Sequence, residues 1–157
     1  MKTKLIVVLL FLCLFSIYAL EVDAQTKRRR VPRVPRSSPA AITTPSGLTY
    51  LITKKGTGRQ LKAGDTVIMN YTGMLTNGAK FDSSYDRNVP LAFKLGIGKV
   101  IAGFDEGLAK LRIGDHAILV IPGKLAYGPT GIPNVIPPDA TLIFVIEVVD
   151  VREESSS

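Results

Sequence analysis

The chain has 157 residues, 46% of them apolar, with 20 Lys plus Arg against 13 Asp plus Glu for a net charge of +7, which suffices for one domain with its own core and an appendage. One cysteine (Cys13), one histidine (His116) and no tryptophan exclude a disulfide framework, a Cys/His zinc cluster and a Cys-His nucleophilic pair in the folded part. Six bases without an acid lie between Lys27 and Arg36, whereas 12 bases face 11 acids from residue 37 onward, so the surplus belongs to a short arm and does not imply a nucleic-acid-binding fold.

Residues 1–24 read as a secretory signal: Lys2 and Lys4 precede an apolar run at 5–20, and Val22, Asp23 and Ala24 offer a cleavage site before Gln25. Sixteen residues fall short of the roughly 20 needed to span a bilayer. The six bases on the C-terminal flank support the competing expectation, an uncleaved membrane anchor. Cys13 follows Leu12 and reads as an ordinary apolar leader residue. Residues 25–42, with Pro32, Pro35 and Pro39 and few large apolar side chains, are expected to form a stiff, disordered linker. Its basic arm at 27–36 is a solvated spacer in one reading and a contact for anionic surfaces in another.

A domain is expected over 43–152, with a polar tail at 153–157; all 14 glycines lie between Gly47 and Gly131. Alternation marks strands at 48–53, 66–75, 79–83, 115–121 and 141–151. Asn77-Gly78 joins the second to the third as a hairpin. In the last strand Leu142, Phe144, Ile146 and Val148 share a face. Ile101, Phe104, Leu108 and Leu111 recur at helical spacing, with Asp105 and Glu106 near the start and Lys110 and Arg112 near the end, as the helix dipole prefers. Gly103 and Gly107, one turn apart, allow that helix to lie close on a sheet. The expected fold is α+β, a curved antiparallel sheet of five to six strands wrapped around one short helix.

Catalytic apparatus of the usual kinds is sparse. The glycines around 96–99 lack phosphate-loop spacing, no G-x-S-x-G elbow occurs, and His116 reads as a structural or exposed residue. Aromatic and aliphatic side chains stand beside Gly- and Pro-rich loops instead, and the 124–133 loop sets Tyr127 among Gly128, Pro129, Gly131 and Pro133. An apolar pocket roofed by that loop is expected.

The segments 71–75 (YTGML), 78–84 (GAKFDSS), 86–88 (DRN), 95–96 with 100–104 (VIAGF), and 126–128 (AYG) through 136–142 (IPPDATL) carry a resemblance that runs in order over about 100 residues. The chain resembles the single-domain FKBP-type peptidyl-prolyl cis-trans isomerases. The resemblance implies a proline pocket walled by Tyr71, Phe81, Val100, Ile101, Tyr127 and Phe144, floored by Phe104, with Asp82, Arg87 and Ile136 at its rim. It implies catalytic roles for Asp82, Ile101 and Tyr127, and no metal or cofactor. Expected partners are proline-containing polypeptides and the family's macrolide inhibitors, bound by a monomer. Three positions depart from the family's habit: Phe104 where Trp is common, Leu91 where Phe is frequent, and Ile132 where His is frequent. These soften and enlarge the pocket.

Rotation about an X-Pro bond faces a barrier of about 18–20 kcal/mol because amide resonance is lost midway. No bond breaks, so an apolar pocket that disfavours the dipolar planar amide suffices in principle. The Ile101 N–H, at a helix start, and the Tyr127 hydroxyl are expected to hold substrate carbonyls. Asp82 either faces the twisting carbonyl or is tied to Tyr71 and Arg87. The expected activity is peptidyl-prolyl isomerisation in folding or exported proteins, in a secreted or periplasmic setting. The alternative is a proline-motif binding or chaperone module with little turnover.

Overall fold

A computed structural model describes residues 39–152. The leader expected at 1–24, the linker at 25–42 apart from its last four residues, and the tail at 153–157 lie outside the described residues. Seven strands form one antiparallel sheet: β1 (Ile42–Thr43), β2 (Thr49–Lys54), β3 (Thr66–Leu75), β4 (Lys80–Ser83), β5 (Leu91–Lys94), β6 (His116–Ile121) and β7 (Leu142–Arg152). The strand order is β1-β2-β6-β7-β3-β4, with β5 also paired to β3. Two short helices complete the frame, α1 (Ser84–Arg87) and α2 (Ala102–Leu108). Two of the seven strands, β1 and β5, carry no marked alternation in the sequence.

The period-2 pattern of the long strands fixes which face is buried. Val67, Met69 and Tyr71 of β3, Ala117, Leu119 and Ile121 of β6, and Leu142, Phe144, Ile146 and Val148 of β7 all turn inward. The face read from the last strand is therefore the core face. Helix α2 crosses it and buries Phe104 and Leu108 there.

The two helix glycines set how closely α2 approaches. A Cβ on Gly103 would stand 2.3 Å from Cγ2 of Ile121, and one on Gly107 2.7 Å from Cδ1 of Leu119. Ile121 is fully buried and its Cγ2 sits next to the strand backbone, so Gly103→Ala is expected to cost about 1–3 kcal/mol through overpacking. Gly107→Ala meets only a leucine methyl and gains helix propensity of about 1 kcal/mol, so its cost is smaller. Urea denaturation of both variants checks the order; a Gly103→Ala protein as stable as its parent would contradict the close approach.

Helix α2 is shorter than the apolar recurrence suggests. Past Leu108 the chain tightens, with the Lys110 N–H donating to the Gly107 carbonyl at 3.0 Å and the Leu111 N–H to Leu108 at 2.9 Å. Arg112 then bridges to Gln60. Lys110 and Arg112 consequently lie beyond the helix and do not complement its C-terminus. Leu111 is fully buried all the same, which is why it keeps the helical period. Asp105 stands in the first turn of α2, as the dipole reading expects, and both acids have further partners. The Asp105 carboxylate accepts from the Gly96 and Gly98 N–H groups at 2.8 and 3.1 Å, and Glu106 accepts from the Ser46 hydroxyl at 2.7 Å. Both acids tie loops to the helix.

Candidate active site

Between the start of α2 and the β3-β4 end of the sheet lies a cavity of about 190 Å³, lined by Tyr71, Phe81, Asp82, Leu91, Lys99, Val100, Ile101, Phe104, Tyr127 and Phe144. Strand register assembles much of this wall. Gly73 stands opposite both Phe144 on β7 and Asp82 on β4, and a Cβ on Gly73 would meet Phe144 and Phe81 ring carbons at 2.7 Å. A side chain there would drive the two rings apart, so the glycine lets them pack edge to face, 5.6 Å between centroids and 88° between planes. Phe144 also meets Phe104 at 4.5 Å and Tyr71 at 6.1 Å. The result is a preformed aromatic box in which contact geometry adds to area burial.

The polar wall hangs on a corner built from serines. Ser83 caps α1, its hydroxyl accepting from the Tyr85 N–H. The Ser84 hydroxyl accepts from the Tyr71 N–H at 3.0 Å and that of Ser83 donates to the Tyr71 carbonyl at 3.1 Å. Asn88, in the left-handed conformation that asparagine tolerates, ends the helix after Arg87. The corner fixes Tyr71 and aims Arg87 back at it. Tyr71 donates its hydroxyl proton to Asp82, Arg87 pairs with the other carboxylate oxygen, and a second Arg87 nitrogen donates to the Tyr71 hydroxyl at 2.9 Å. Of the two roles open to Asp82, the structure displays the tie to Tyr71 and Arg87, since both its oxygens are engaged.

Ionisation follows from these contacts. Burial pushes the Asp82 carboxyl up, but the hydrogen bonds from Tyr71 and Arg87 more than offset it and hold the group below its ordinary value. Burial, and then the hydrogen bond to Asp82, raise Tyr71, which stays a protonated donor. Burial and the nearby Asp82 charge raise Tyr127 as well. The site thus carries a fixed carboxylate shielded by a cation, and two neutral phenols.

Two donors remain unspent. Tyr127 reaches the cavity from the loop after β6, 39% exposed, and its hydroxyl has no hydrogen-bond partner among the described residues. Ile101 precedes α2 with φ −59° and ψ 145°; its carbonyl accepts from the Phe104 N–H at 2.9 Å. Its own N–H finds no acceptor among the described residues, as the orphan donors of a helix start predict.

The cavity brings together Tyr71, Phe81, Asp82, Leu91, Val100, Ile101, Phe104, Tyr127 and Phe144 of the expected site residues, and Arg87 joins through Asp82. Ile132 and Ile136 do not line it. They bond each other's backbones in both directions at 2.8 Å, forming a tight turn whose apolar sides line a neighbouring groove with Leu75, Val135 and Pro137. Of the 124–133 loop, Tyr127 lines the cavity. Lys99 lines the cavity and was not foreseen; a lone lysine beside glycines carries no signal in sequence.

Comparison with known proteins places these residues in context. The profile of the family described as FKBP-type peptidyl-prolyl cis-trans isomerase matches residues 57–149. The chain is 54% identical over 91 residues to FK506-binding protein 1 of Candida glabrata, covering 58% of this chain and 80% of the relative. It is 41% identical over 111 residues to a peptidyl-prolyl cis-trans isomerase of Schizosaccharomyces pombe, covering 70% of this chain and 99% of the relative. Among solved structures, that of AtFKBP13 superposes with a TM-score of 0.69 at 36% identity, over 72% of this chain and 99% of that one. FkpA from Escherichia coli gives 0.68 at 43%, over 73% of this chain and 53% of that one.

Proposed function

The chain belongs to the FKBP-type peptidyl-prolyl cis-trans isomerase family, and on that premise we propose that it isomerises X-Pro bonds inside the aromatic cavity, with Ile101 and Tyr127 holding the flanking peptide. The observation that carries this reading is the pairing of an aromatic box with two unspent donors at its rim. A planar amide entering the box loses more hydration than the less dipolar twisted one, so the twisted form is bound better relative to the ground state. The Ile101 N–H and the Tyr127 hydroxyl fix the carbonyls on either side. Asp82, engaged by Tyr71 and Arg87, acts as a positioning residue that keeps the Tyr71 wall in place, and Lys99 and Leu91 limit the opening.

A protease-coupled assay on a proline tetrapeptide is expected to show acceleration over buffer at micromolar protein; no acceleration sinks the reading. Tyr127→Phe is expected to lower kcat/KM several-fold, in line with one neutral hydrogen bond of about 0.5–1.5 kcal/mol. Asp82→Asn is expected to lower it too, chiefly through KM, as Tyr71 and Arg87 lose their common acceptor. The lowered carboxyl has a stated pH consequence. Its contribution to stability is complete above the unfolded carboxyl value of about 3.9 and is lost as pH falls below that through the folded value. Activity that already declines between pH 6 and 5 and is insensitive to Asp82→Asn assigns the titration elsewhere.

The clients in this reading are polypeptides passing through the secretory route, whose X-Pro steps take tens to hundreds of seconds unassisted, and the enzyme acts as a monomer delivered by a leader cleaved before Gln25. N-terminal sequencing of the mature protein tests this, an intact Met1 pointing to an anchor instead. The basic arm at 27–36 then tethers the domain electrostatically to anionic surfaces, binding that salt should weaken. The cavity also admits macrolides of the kind that name the Candida glabrata relative, held less tightly where Phe104 and Leu91 leave it looser. A binding-module reading draws on the same two positions; saturable retention of unfolded chains without turnover would favour it.

A further inference from the structure

A second groove, apart from the aromatic box, lies on the described surface. It has a volume of about 570 Å³ and lies where Ile42, Tyr50 and Ile52 extend the inner face of the sheet, between Pro39 and Ala40 on one side and Lys55 and Lys110 on the other. Cross-strand register places it. Ile42 stands opposite Tyr50, Tyr50 opposite the buried Leu119, and Leu119 opposite Phe144 of the aromatic box. The groove and the box therefore occupy the same inner face at opposite ends, three strand spacings or about 14 Å apart from β2 to β3. Helix α2 passes between them, its glycines on Ile121 and Leu119. The helix stops at Leu108, and at the β1-β2 end of the face Ile42 is 50% exposed.

The charges around this floor are of one sign. Lys55 and Lys110 line the groove and no acid does. Glu106 on α2 is engaged by Ser46, whose hydrogen bond holds its carboxyl below the ordinary value, and it shares a weaker charge interaction with Lys110, so Lys55 is the less offset of the two cations. A concave apolar floor with two ammonium groups at its wall suits an extended peptide more than a flat bilayer, and the chain's own arm at 27–36 has the wrong sign of charge for it. We propose that the groove is a second polypeptide-binding site, which takes an extended segment bearing a large apolar side chain flanked by carboxylates and needs no proline. Because α2 lies between the two sites, a client chain that engages both passes around the helix and needs more than the roughly four to five extended residues that would cover about 14 Å directly; its local concentration at the proline pocket then rises without any new contact there.

The test uses the full chain and a fluorescein-labelled, proline-free peptide of sequence SDELFES, read by anisotropy, with SKKLFKS as the charge-reversed control. Saturable binding of the acidic peptide alone is expected, weakened by salt and about tenfold by the pair Lys55→Gln and Lys110→Gln, two charge contacts of up to about 1 kcal/mol each. Ile42→Ser, at an exposed position, is expected to weaken it without lowering the unfolding temperature. All three substitutions should leave kcat/KM on the proline tetrapeptide unchanged. The proposal is overturned by absence of binding, by equal binding of the basic peptide, by indifference to these substitutions, or by displacement with the proline tetrapeptide, which would put the peptide in the box. Sedimentation showing a dimer abolished by Ile42→Ser would assign the groove to a second copy of the chain and likewise overturn it. Since the peptide lacks proline, either outcome stands apart from whether the isomerase site is correctly placed.

Discussion

Ile101→Pro lowers kcat/KM on a proline tetrapeptide by about tenfold beyond the loss caused by Ile101→Ala. The comparison bears on the backbone N–H, with the proline ring and its restriction of Val100 as the other difference. Both substitutions remove the isoleucine side chain from the cavity wall, and only proline removes the N–H. The backbone already holds φ −59° at this position, within the range the pyrrolidine ring imposes. The N–H has no acceptor among the described residues, so no native bond is sacrificed, and thermal unfolding of the two variants should agree closely. The substrate carbonyl, by contrast, loses its donor; about 1.4 kcal/mol of transition-state binding corresponds to a factor of ten, within the range for one lost hydrogen bond. Equal rates for the alanine and proline variants would remove the Ile101 N–H from the mechanism. A fall confined to KM would mean that the contact is made equally in the planar and twisted states.

The candidate site was legible chiefly through the family resemblance, and what hid the rest was geometry set by pairing. The long strands announce themselves because β3, β6 and β7 alternate over six to eleven residues, and the glycine pair on α2 predicts a close approach that Ile121 and Leu119 display. Short elements leave no such trace. β1 has two residues and β5 and α1 four each, too few for a period, and they owe their form to pairing with β2 and β3 and to the Ser83 and Asn88 caps. Leu111 misleads for a related reason: burial recurs at helical spacing although the backbone there has left the helix. Asp105 sits in the first turn where the dipole favours it, and nothing in the sequence signals that it also accepts from the Gly96 and Gly98 amides, or Glu106 from the Ser46 hydroxyl. In the site, resemblance supplied the aromatic positions, and the register of Gly73 with Phe144 and Asp82 explains their convergence. Ile132 and Ile136 bond to each other across a tight turn and line the groove beside Leu75, with Ile136 buried in the same core as the aromatic rings.

Phe104→Ala should produce the largest loss of stability of any substitution in the cavity, about 3–5 kcal/mol. Phe104 is 6% exposed and belongs at once to the helix, the core and the cavity floor. Its ring meets Phe144 at 4.5 Å and Tyr71 at 6.3 Å, and the space it vacates is bounded by strands β3 and β7, which cannot collapse inward without breaking their long ladder. The gain in helix propensity from alanine, under about 1 kcal/mol, does not offset this. Against a total of about 5–15 kcal/mol for a domain of this kind, the change is a large fraction, visible as a lowered urea midpoint at constant m. Activity, measured well below both unfolding transitions, should fall as well, because Tyr71 loses one of the two rings that support it and the enlarged cavity admits water. Phe104→Leu keeps much of the volume and should fall between. A variant that loses stability but isomerises the tetrapeptide as fast as its parent would show that the aromatic box is only part of the core and that substrate binds elsewhere. Phe104→Trp extends the argument in the other direction. With Phe144 so close on one side, the added ring must project into the cavity of about 190 Å³, narrowing it and giving the proline ring a tighter floor, so KM for the tetrapeptide should fall while stability changes by less than in the alanine variant.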